Sequence, residues 1–173
     1  AKSSTGMMPM APAPSIVGSA AMAPSIDLTV EAAMTGGTLP DMVLDIGGLL
    51  SGDLAAVYDD ILGVVGAARP VPVKVILETS MLTDEQKAIA CLVAARTGAA
   101  YVKTSTGFGG GGATVEDIAL IRHMVGDRLG VKASGAVRNH RDAEKVLHAG
   151  ADRIGASASI AIIGGGVAGA GGS

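Results

Sequence analysis

Short apolar runs alternate with longer segments of helical periodicity along the central part of the chain. The apolar runs cover residues 42–44, 73–77, 100–104, 131–134 and 153–156. They are nearly continuous, which is typical of strands in a parallel sheet that is covered by other elements. The pattern therefore predicts an α/β protein in which parallel strands are joined by helical crossovers.

Three of the connecting helices carry start or stop signals in the sequence. Thr83 and Gln86 have the spacing of a capping box, and Gly98 stands where a helix that begins there would end. Thr114 opens the next predicted helix, and Asn139 can cap the third. These signals place the helices between the predicted strands.

The spacing of the strands bears on the type of sheet. Alternating βα units form either an open doubly wound sheet or a closed barrel. Successive strands start about 28 residues apart, which is the rhythm of a (β/α)8 TIM barrel. A complete barrel takes roughly 250 residues, whereas this chain has 173. The spacing therefore favours a barrel, but the chain is short of a complete one by at least two βα units.

Both ends of the chain are low in sequence complexity. Residues 1–14 are rich in Ala, Pro, Met and Ser, and residues 164–173 read GGGVAGAGGS. Neither composition supports a regular packed element. We predict one barrel domain over residues 15–163, preceded by a low-complexity segment and followed by a glycine-rich tail.

The composition argues against several classes of protein. Hydrophobic residues make up 49% of the chain and charged residues 17%, which argues against intrinsic disorder. A net charge of −3 and 2% aromatic residues argue against a nucleic-acid partner. The one cysteine, Cys91, excludes an internal disulfide framework and indicates a reducing, cytoplasmic setting. No apolar run is long enough to suggest a membrane span.

Two lysines, Lys103 and Lys132, stand at the ends of apolar strands. Lysine is rarely buried without a reason, and an ammonium group beside another cation loses its proton more readily. A neutral amine can attack a carbonyl and form a Schiff base, and a nearby acid such as Asp41 could relay protons. The alternative is a pair of lysines whose charged ends reach solvent at the rim of a barrel.

Glycine and serine follow the last two predicted strands. Ser134 and Gly135 end the fourth run, and Gly155 and Ser157 lie at the fifth. Barrels often bind phosphate with the loops after their last strands, and backbone N–H groups at a helix start suit an anion. The pattern is compatible with an anion site at this end of the sheet.

The sequence around Lys103 resembles the signature of the deoxyribose-phosphate aldolase family. Residues 101–109 read YVKTSTGFG and residues 112–117 read GATVED, while VKASG at 131–135 is similar to the second lysine motif of the family. Three shorter segments resemble other blocks of the family in the same order, namely DMV at 41–43, KVILET at 74–79 and RIGAS at 153–157. The resemblance covers roughly two thirds of the chain.

The resemblance implies a class I aldolase on a (β/α)8 TIM barrel. The family reversibly cleaves 2-deoxy-D-ribose 5-phosphate to acetaldehyde and D-glyceraldehyde 3-phosphate. It implies that Lys103 forms the Schiff base, that Lys132 promotes loss of the proton from Lys103, and that Asp41 relays protons. The substrate and phosphate contacts that we expect are Thr106, Gly107, Ser134, Gly135, Ala136, Gly155 and Ser157. The resemblance implies no metal or other cofactor, because the iminium serves as the electron sink.

Three features depart from the family pattern. Ala136 stands where the family usually repeats glycine, and Asp45 stands where asparagine is common and would add a negative charge near the site. The family's first two βα units have no clear counterpart, because residues 15–18 resemble its third strand and residues 26–34 the helix that follows. About two N-terminal βα units of the TIM barrel are therefore expected to be lacking or replaced. Alternatively, residues 25–29 resemble the family's first strand, in which case later units are missing. We therefore expect an incomplete chain or a reduced barrel, in which a homo-oligomer or another chain completes the fold.

Two other functions remain open from the sequence. A catalytically silent barrel remnant could act as a structural or assembly subunit, and a different Schiff-base aldolase could act on another phosphorylated aldehyde. His123, His140 and His148 lack a metal-ligand spacing, so we expect them at the surface. Cys91 is expected to pack within a helix.

Overall fold

The computed structural model describes residues 39–108 and 110–157, together with Ile162. Strands and helices alternate in this part of the chain. The strands are β1 (Asp41–Val43), β2 (Lys74–Ile76), β3 (Tyr101–Lys103), β4 (Gly130–Ser134) and β5 (Arg153–Gly155). Each of them coincides with a predicted apolar run to within a residue or two, so the five strand predictions are confirmed. The predictions on residues 1–38 and on the glycine-rich tail lie outside the described residues.

The helices lie between these strands, as predicted. They are α1 (Ile46–Ser51), α2 (Leu54–Ala68), α3 (Asp84–Thr97), α4 (Val115–Val125) and α5 (His140–His148), with single 3-10 turns at Thr79–Met81 and Gly126–Arg128. The capping box is present in full at the start of α3, since the Thr83 hydroxyl and the Gln86 side chain each accept the other residue's backbone N–H. Gly98 ends α3 in the left-handed conformation. Thr114 caps α4 and Asn139 caps α5.

The short helix α1 and the longer α2 begin at aspartates that the sequence analysis did not identify as caps. Asp45 accepts the Gly48 N–H at 3.0 Å, and Asp53 accepts the Ala56 N–H at 3.1 Å. Both side chains therefore satisfy N–H groups that a helix start leaves without intrahelical partners. The exposed carboxylate of Asp45, expected as an extra charge near the site, is engaged in this way as the cap of α1.

All five strands are parallel and lie side by side in the order of the sequence. A doubly wound sheet reverses its direction at a switch point, whereas a barrel adds each strand to the same edge. The observed order is therefore that of five neighbouring strands of a (β/α)8 barrel. This confirms the expected fold type for the described part of the chain.

The two faces of the sheet differ in chemistry. Val75, Val102 and Val131 are in register on one face and belong to the hydrophobic core, together with buried residues from the helices such as Ile61 and Ile118. The other face, which corresponds to the inside of a barrel, carries charged side chains. Side chains along the strands therefore alternate between an apolar face and a partly charged face. The sequence shows this alternation less clearly, because the apolar runs are nearly continuous.

Several smaller expectations can be compared with the described residues. His123, His140 and His148 are exposed, as predicted. Cys91 is 0% exposed within α3, and burial raises the pKa of its thiol to about 12, so it acts as a packing residue. None of the helices in the described ranges combines the length and the apolar character that crossing a bilayer requires.

Candidate functional site

Five ionisable side chains share the inner face of the sheet. Asp41 is in register with Lys74, Lys103 with Lys132, and Lys132 with Arg153. Residues paired in register on parallel strands project to the same face. The strands therefore place one carboxylate and four basic side chains on one face, where Lys74 and Lys132 are buried and Asp41 is partly exposed.

The carboxylate of Asp41 joins two of these cations. Its Oδ1 accepts a hydrogen bond from Lys74 Nζ at 2.8 Å, and its Oδ2 accepts one from Lys103 Nζ at 3.2 Å. The side chains of Lys74 and Lys103 are 2% and 12% exposed, whereas that of Asp41 is 34% exposed. Burial alone would raise the pKa of Asp41, but the hydrogen bonds and charges of the two lysines outweigh it and hold the pKa below its usual value. Asp41 is therefore ionised at neutral pH.

Lys132 lies beside Lys103 on the next strand. The two residues are partners in the β3–β4 register, and parallel neighbours lie about 4.8 Å apart. Lys132 is only 6% exposed. Its side chain runs over Gly155, where a Cβ atom would come within 3.1 Å of Lys132 Cε and 2.5 Å of Ser134 Oγ. Gly155 thus leaves the space that the side chains of Lys132 and Ser134 occupy.

An aromatic ring and a guanidinium group contact each other beside the lysine pair: Tyr101 lies two residues before Lys103 on β3, and Arg153 is the register partner of Lys132. The Arg153 guanidinium carbon is 4.5 Å from the centroid of the Tyr101 ring, a cation–π contact. A Cβ atom on Gly130 would come within 2.0 Å of that ring, so the absence of a side chain at Gly130 makes room for it. The Tyr101 ring and the Arg153 guanidinium therefore pack against each other on the inner face, next to the strand positions of Lys103 and Lys132.

Three of the residues predicted to bind the substrate or its phosphate, Ser134, Gly135 and Ala136, lie together in the turn at the end of β4. The Ser134 N–H donates to Thr104 Oγ1 at 3.0 Å, so this N–H is already engaged within the sheet. Gly135 and Ala136 both have a positive φ, of 75° and 58°. Positive φ is strained for alanine, which has a Cβ atom. Ala136 is exposed.

The glycine-rich loop before α4 packs directly against this turn. A Cβ atom on Gly112 would lie 2.6 Å from the backbone N of Ala136, and the Ala113 N–H donates to the Ser134 carbonyl at 3.0 Å. Gly155 neighbours Ser134 in the sheet, and Ser157 is exposed just after β5. The structure therefore brings the predicted phosphate residues of β4 and β5 to the same end of the sheet.

Thr106 and Gly107 lie in the segment that follows Lys103. The Thr106 N–H donates to Glu78 Oε2 at 3.0 Å, and Thr106 Oγ1 accepts the Phe108 N–H at 3.1 Å. Gly107 is exposed with a φ of 98°. The backbone N–H of Thr106 is therefore engaged by Glu78, and its hydroxyl oxygen by the Phe108 N–H.

The sequence analysis assigned no role to two residues of the site, Lys74 and Glu78, although both lie in the KVILET segment at 74–79. Lys74 interrupts an apolar run just as Lys103 and Lys132 do, which was the available signal. Glu78 is 4% exposed, and its hydrogen bond to Thr106 depends on a backbone conformation that no motif indicates. Across the described ranges, His, Cys, Asp and Glu side chains form no group of three or more that could hold a metal ion.

Comparisons with known proteins point to one family. A deoxyribose-phosphate aldolase of Rhodospirillum rubrum is 58% identical over 128 residues, which are 74% of this chain and 54% of that protein. A solved structure of a putative deoxyribose-phosphate aldolase from Coccidioides immitis is 40% identical with a TM-score of 0.71, covering 75% of this chain and 52% of that one. No protein-family model matches the chain.

A third relative adds information on assembly. The tetrameric deoxyribose phosphate aldolase of Aeropyrum pernix is 33% identical with a TM-score of 0.66, covering 73% of this chain and 54% of that one. The chain spans between half and two thirds of the length of the curated relatives that it matches. The matched part of the chain is homologous to deoxyribose-phosphate aldolases, so the resemblance inferred from the motifs around Lys103 and Lys132 is confirmed.

Proposed function

We propose that this chain carries the Schiff-base site of a class I aldolase that cleaves 2-deoxy-D-ribose 5-phosphate reversibly to acetaldehyde and D-glyceraldehyde 3-phosphate. The main support is the ion-paired group on the inner face, in which Asp41 contacts Lys103 at 3.2 Å and Lys132 neighbours Lys103 in register. The names of the similar proteins support the choice of 2-deoxy-D-ribose 5-phosphate as the substrate. The proposal assigns Lys103 as the nucleophile, Lys132 as the residue that favours its neutral form, and Asp41 as the proton relay.

The first half of the reaction is carbinolamine and iminium formation at Lys103. The neutral Nζ of Lys103 attacks the C1 aldehyde of the open-chain sugar phosphate, and the carbinolamine then loses water. A second cation beside Lys103 makes loss of its proton easier. The ionised carboxylate of Asp41 is hydrogen bonded to Nζ, so it can take up that proton and return it to the departing hydroxyl group.

The second half breaks the C2–C3 bond. Removal of the C3 hydroxyl proton releases D-glyceraldehyde 3-phosphate, and the bonding electrons move into the iminium to give an enamine. C2 of the enamine then takes up a proton, and water hydrolyses the resulting iminium to acetaldehyde and the free amine. The water lost in the first half is regained here, so no further reactant is needed.

We place the phosphate group at the turn formed by Ser134, Gly135 and Ala136 and at Gly155 and Ser157. The backbone of Ala136 retains its N–H although its methyl group narrows the turn. We further propose that the chain acts as a homo-oligomer in the cytoplasm, or with a chain that completes the barrel, and that the barrel domain spans residues 15–163. A tetrameric relative supports assembly.

Reductive trapping tests the covalent step. Borohydride reduction in the presence of acetaldehyde should add a two-carbon group at Lys103, located by peptide mass spectrometry. Lys103→Arg should abolish both the adduct and turnover, because a guanidinium stays protonated and cannot attack. Lys145→Arg on the exposed side of α5 is the matched control and should retain both.

Two results would contradict the assignment. An adduct at Lys132 alone would show that the nucleophile lies on β4 and not at Lys103 on β3. A folded chain that forms no adduct and cleaves no sugar phosphate would favour the silent remnant instead, which no observation on the described residues supports at present.

A further inference from the structure

Glu78 is a buried carboxylate at the end of β2 that the proposed reaction steps do not use. It is 4% exposed and has φ 54° and ψ 60°, in the left-handed region. Residues with a Cβ atom are held there only when the surrounding structure imposes the conformation, and such strain is concentrated at functional sites. The strained backbone turns the chain from β2 into the 3-10 turn Thr79–Met81.

The side chain of Glu78 crosses to the neighbouring strand. Its Oε2 accepts the Thr106 N–H at 3.0 Å, whereas its Oε1 is buried and finds no hydrogen-bond partner within the described part of the chain. A buried carboxylate costs free energy, and an N–H bond to a charged acceptor is among the stronger hydrogen bonds. Within the described residues, the one hydrogen bond that this buried carboxylate makes is to Thr106. We take this as an indication that fixing the backbone of Thr106 is important for the site.

Lys103 does not depend on Glu78 for its own position. The Leu77 N–H donates to the Lys103 carbonyl at 2.9 Å, and the Thr104 N–H donates to the Lys132 carbonyl at 3.1 Å. These bonds belong to the regular sheet ladder. Thr106 lies beyond the ladder, and the bond to Glu78 ties its backbone to the adjacent strand.

We propose that Glu78 is a positioning residue for substrate binding. Its carboxylate holds Thr106 so that the segment of residues 105–108 forms one wall of the site that binds the phosphorylated sugar. This inference rests on the proposed function and adds a residue that acts through Thr106 rather than on the reacting atoms. Glu78 should therefore affect the binding of the sugar phosphate and not the formation of the Schiff base.

The test compares sugar-phosphate cleavage with trapping of acetaldehyde in the full chain. Glu78→Ala should raise KM for 2-deoxy-D-ribose 5-phosphate about tenfold and change kcat by less than about threefold, the range expected for loss of one charge-assisted hydrogen bond. Borohydride trapping of acetaldehyde at Lys103 should proceed at the unmutated rate, since acetaldehyde lacks the phosphorylated part. Amide hydrogen exchange at Thr106 should become faster.

Variants at the same position separate charge and reach from folding. Glu78→Gln keeps an oxygen that can accept the Thr106 N–H, so its KM should be close to that of the unmutated chain. Glu78→Asp keeps the charge but is one methylene shorter, so its KM should be raised like that of Glu78→Ala. Glu85→Ala, at an exposed position in the first turn of α3, is the matched control and should leave KM unchanged.

The outcomes distinguish this inference from the proposed function. If the unmutated chain traps acetaldehyde but KM is unchanged in folded Glu78→Ala or Glu78→Asp, the positioning role is wrong and the aldolase proposal stands. If acetaldehyde trapping and kcat fall together with binding, Glu78 acts on the chemistry and the inference is also overturned. If Glu78→Ala does not fold, Glu78→Asp and Glu78→Gln carry the comparison.

Discussion

Replacing Gly155 by alanine should damage the candidate site even though the change removes no functional group. The added Cβ atom would lie 2.5 Å from Ser134 Oγ and 3.1 Å from Lys132 Cε. Both distances are shorter than ordinary van der Waals contact, so both side chains must move. Since φ at Gly155 is not in the left-handed range, the cost is one of space rather than backbone strain. Overpacking of this kind costs about 1–3 kcal/mol of unfolding free energy.

The same displacement should lower the cleavage rate. At 3.1 Å, Lys132 Cε must give way by a few tenths of an ångström, whereas a shift of about 1 Å in a positioned group can cost on the order of a hundredfold in rate. We therefore expect Gly155→Ala to reduce kcat for 2-deoxy-D-ribose 5-phosphate by about threefold to tenfold. The stability loss and the rate loss should occur together, because the same two side chains cause both.

Gly63→Ala is the matched control for this substitution. Gly63 lies on the exposed side of α2, and a Cβ atom there would meet nothing within 4 Å. Alanine is favoured over glycine in a helix by about 0.8–1.0 kcal/mol, so this variant should be more stable and equally active. Denaturant unfolding and initial cleavage rates of both variants make the comparison. If Gly155→Ala is as stable and active as the unmutated chain, Lys132 and Ser134 do not occupy that space.

Two further predictions concern the charged groups. Lys132→Leu should lower the cleavage rate at neutral pH by about tenfold or more and move the pH–rate profile to higher pH, because Lys103 loses a neighbouring cation; an unchanged profile beside a Lys145→Leu control would argue against this role. The pKa of Asp41 lies below its usual 3.8, so the stability that its ionised form contributes is present above that pH and is lost as the pH falls through the folded-state value. The difference in unfolding free energy between the unmutated chain and Asp41→Asn should therefore shrink in acid, and a difference that stays constant with pH would contradict the ion pairs.

The elements of the fold were more readable in the sequence than the contacts between them. The capping box at Thr83 and the terminal Gly98 are local features, because each depends on residues within one helical turn of a helix end. The even spacing of the apolar runs favoured a barrel, and the resemblance of the motifs around Lys103 and Lys132 to the aldolase family implied it. The starts of α1 and α2 were missed, since Asp45 and Asp53 are ordinary caps without the glutamate or glutamine partner that makes a capping box visible.

The candidate site shows where local reasoning ends. Lys103 and Lys132 are visible as lysines at the ends of apolar runs, but the partnership of Asp41 with Lys74 depends on the register of two strands far apart in sequence. The left-handed conformation of Glu78 is imposed by tertiary structure, and a glutamate in a sequence gives no sign of it. Gly155 was predicted as a phosphate contact, whereas its packing shows that it also provides space for Lys132.

The strand order has a consequence for how the site comes into being during synthesis. Each strand pairs with the one made just before it, so every pairing closes a loop of only one βα unit. Asp41 is synthesised before Lys74 and Lys103, so its carboxylate is available as an ion-pair partner when β2 and β3 are added to the sheet. Lys132 joins when β4 docks on β3. Because we propose that Lys132 favours the neutral form of Lys103, we expect trapping of an aldehyde at Lys103 to report the docking of β4 on β3.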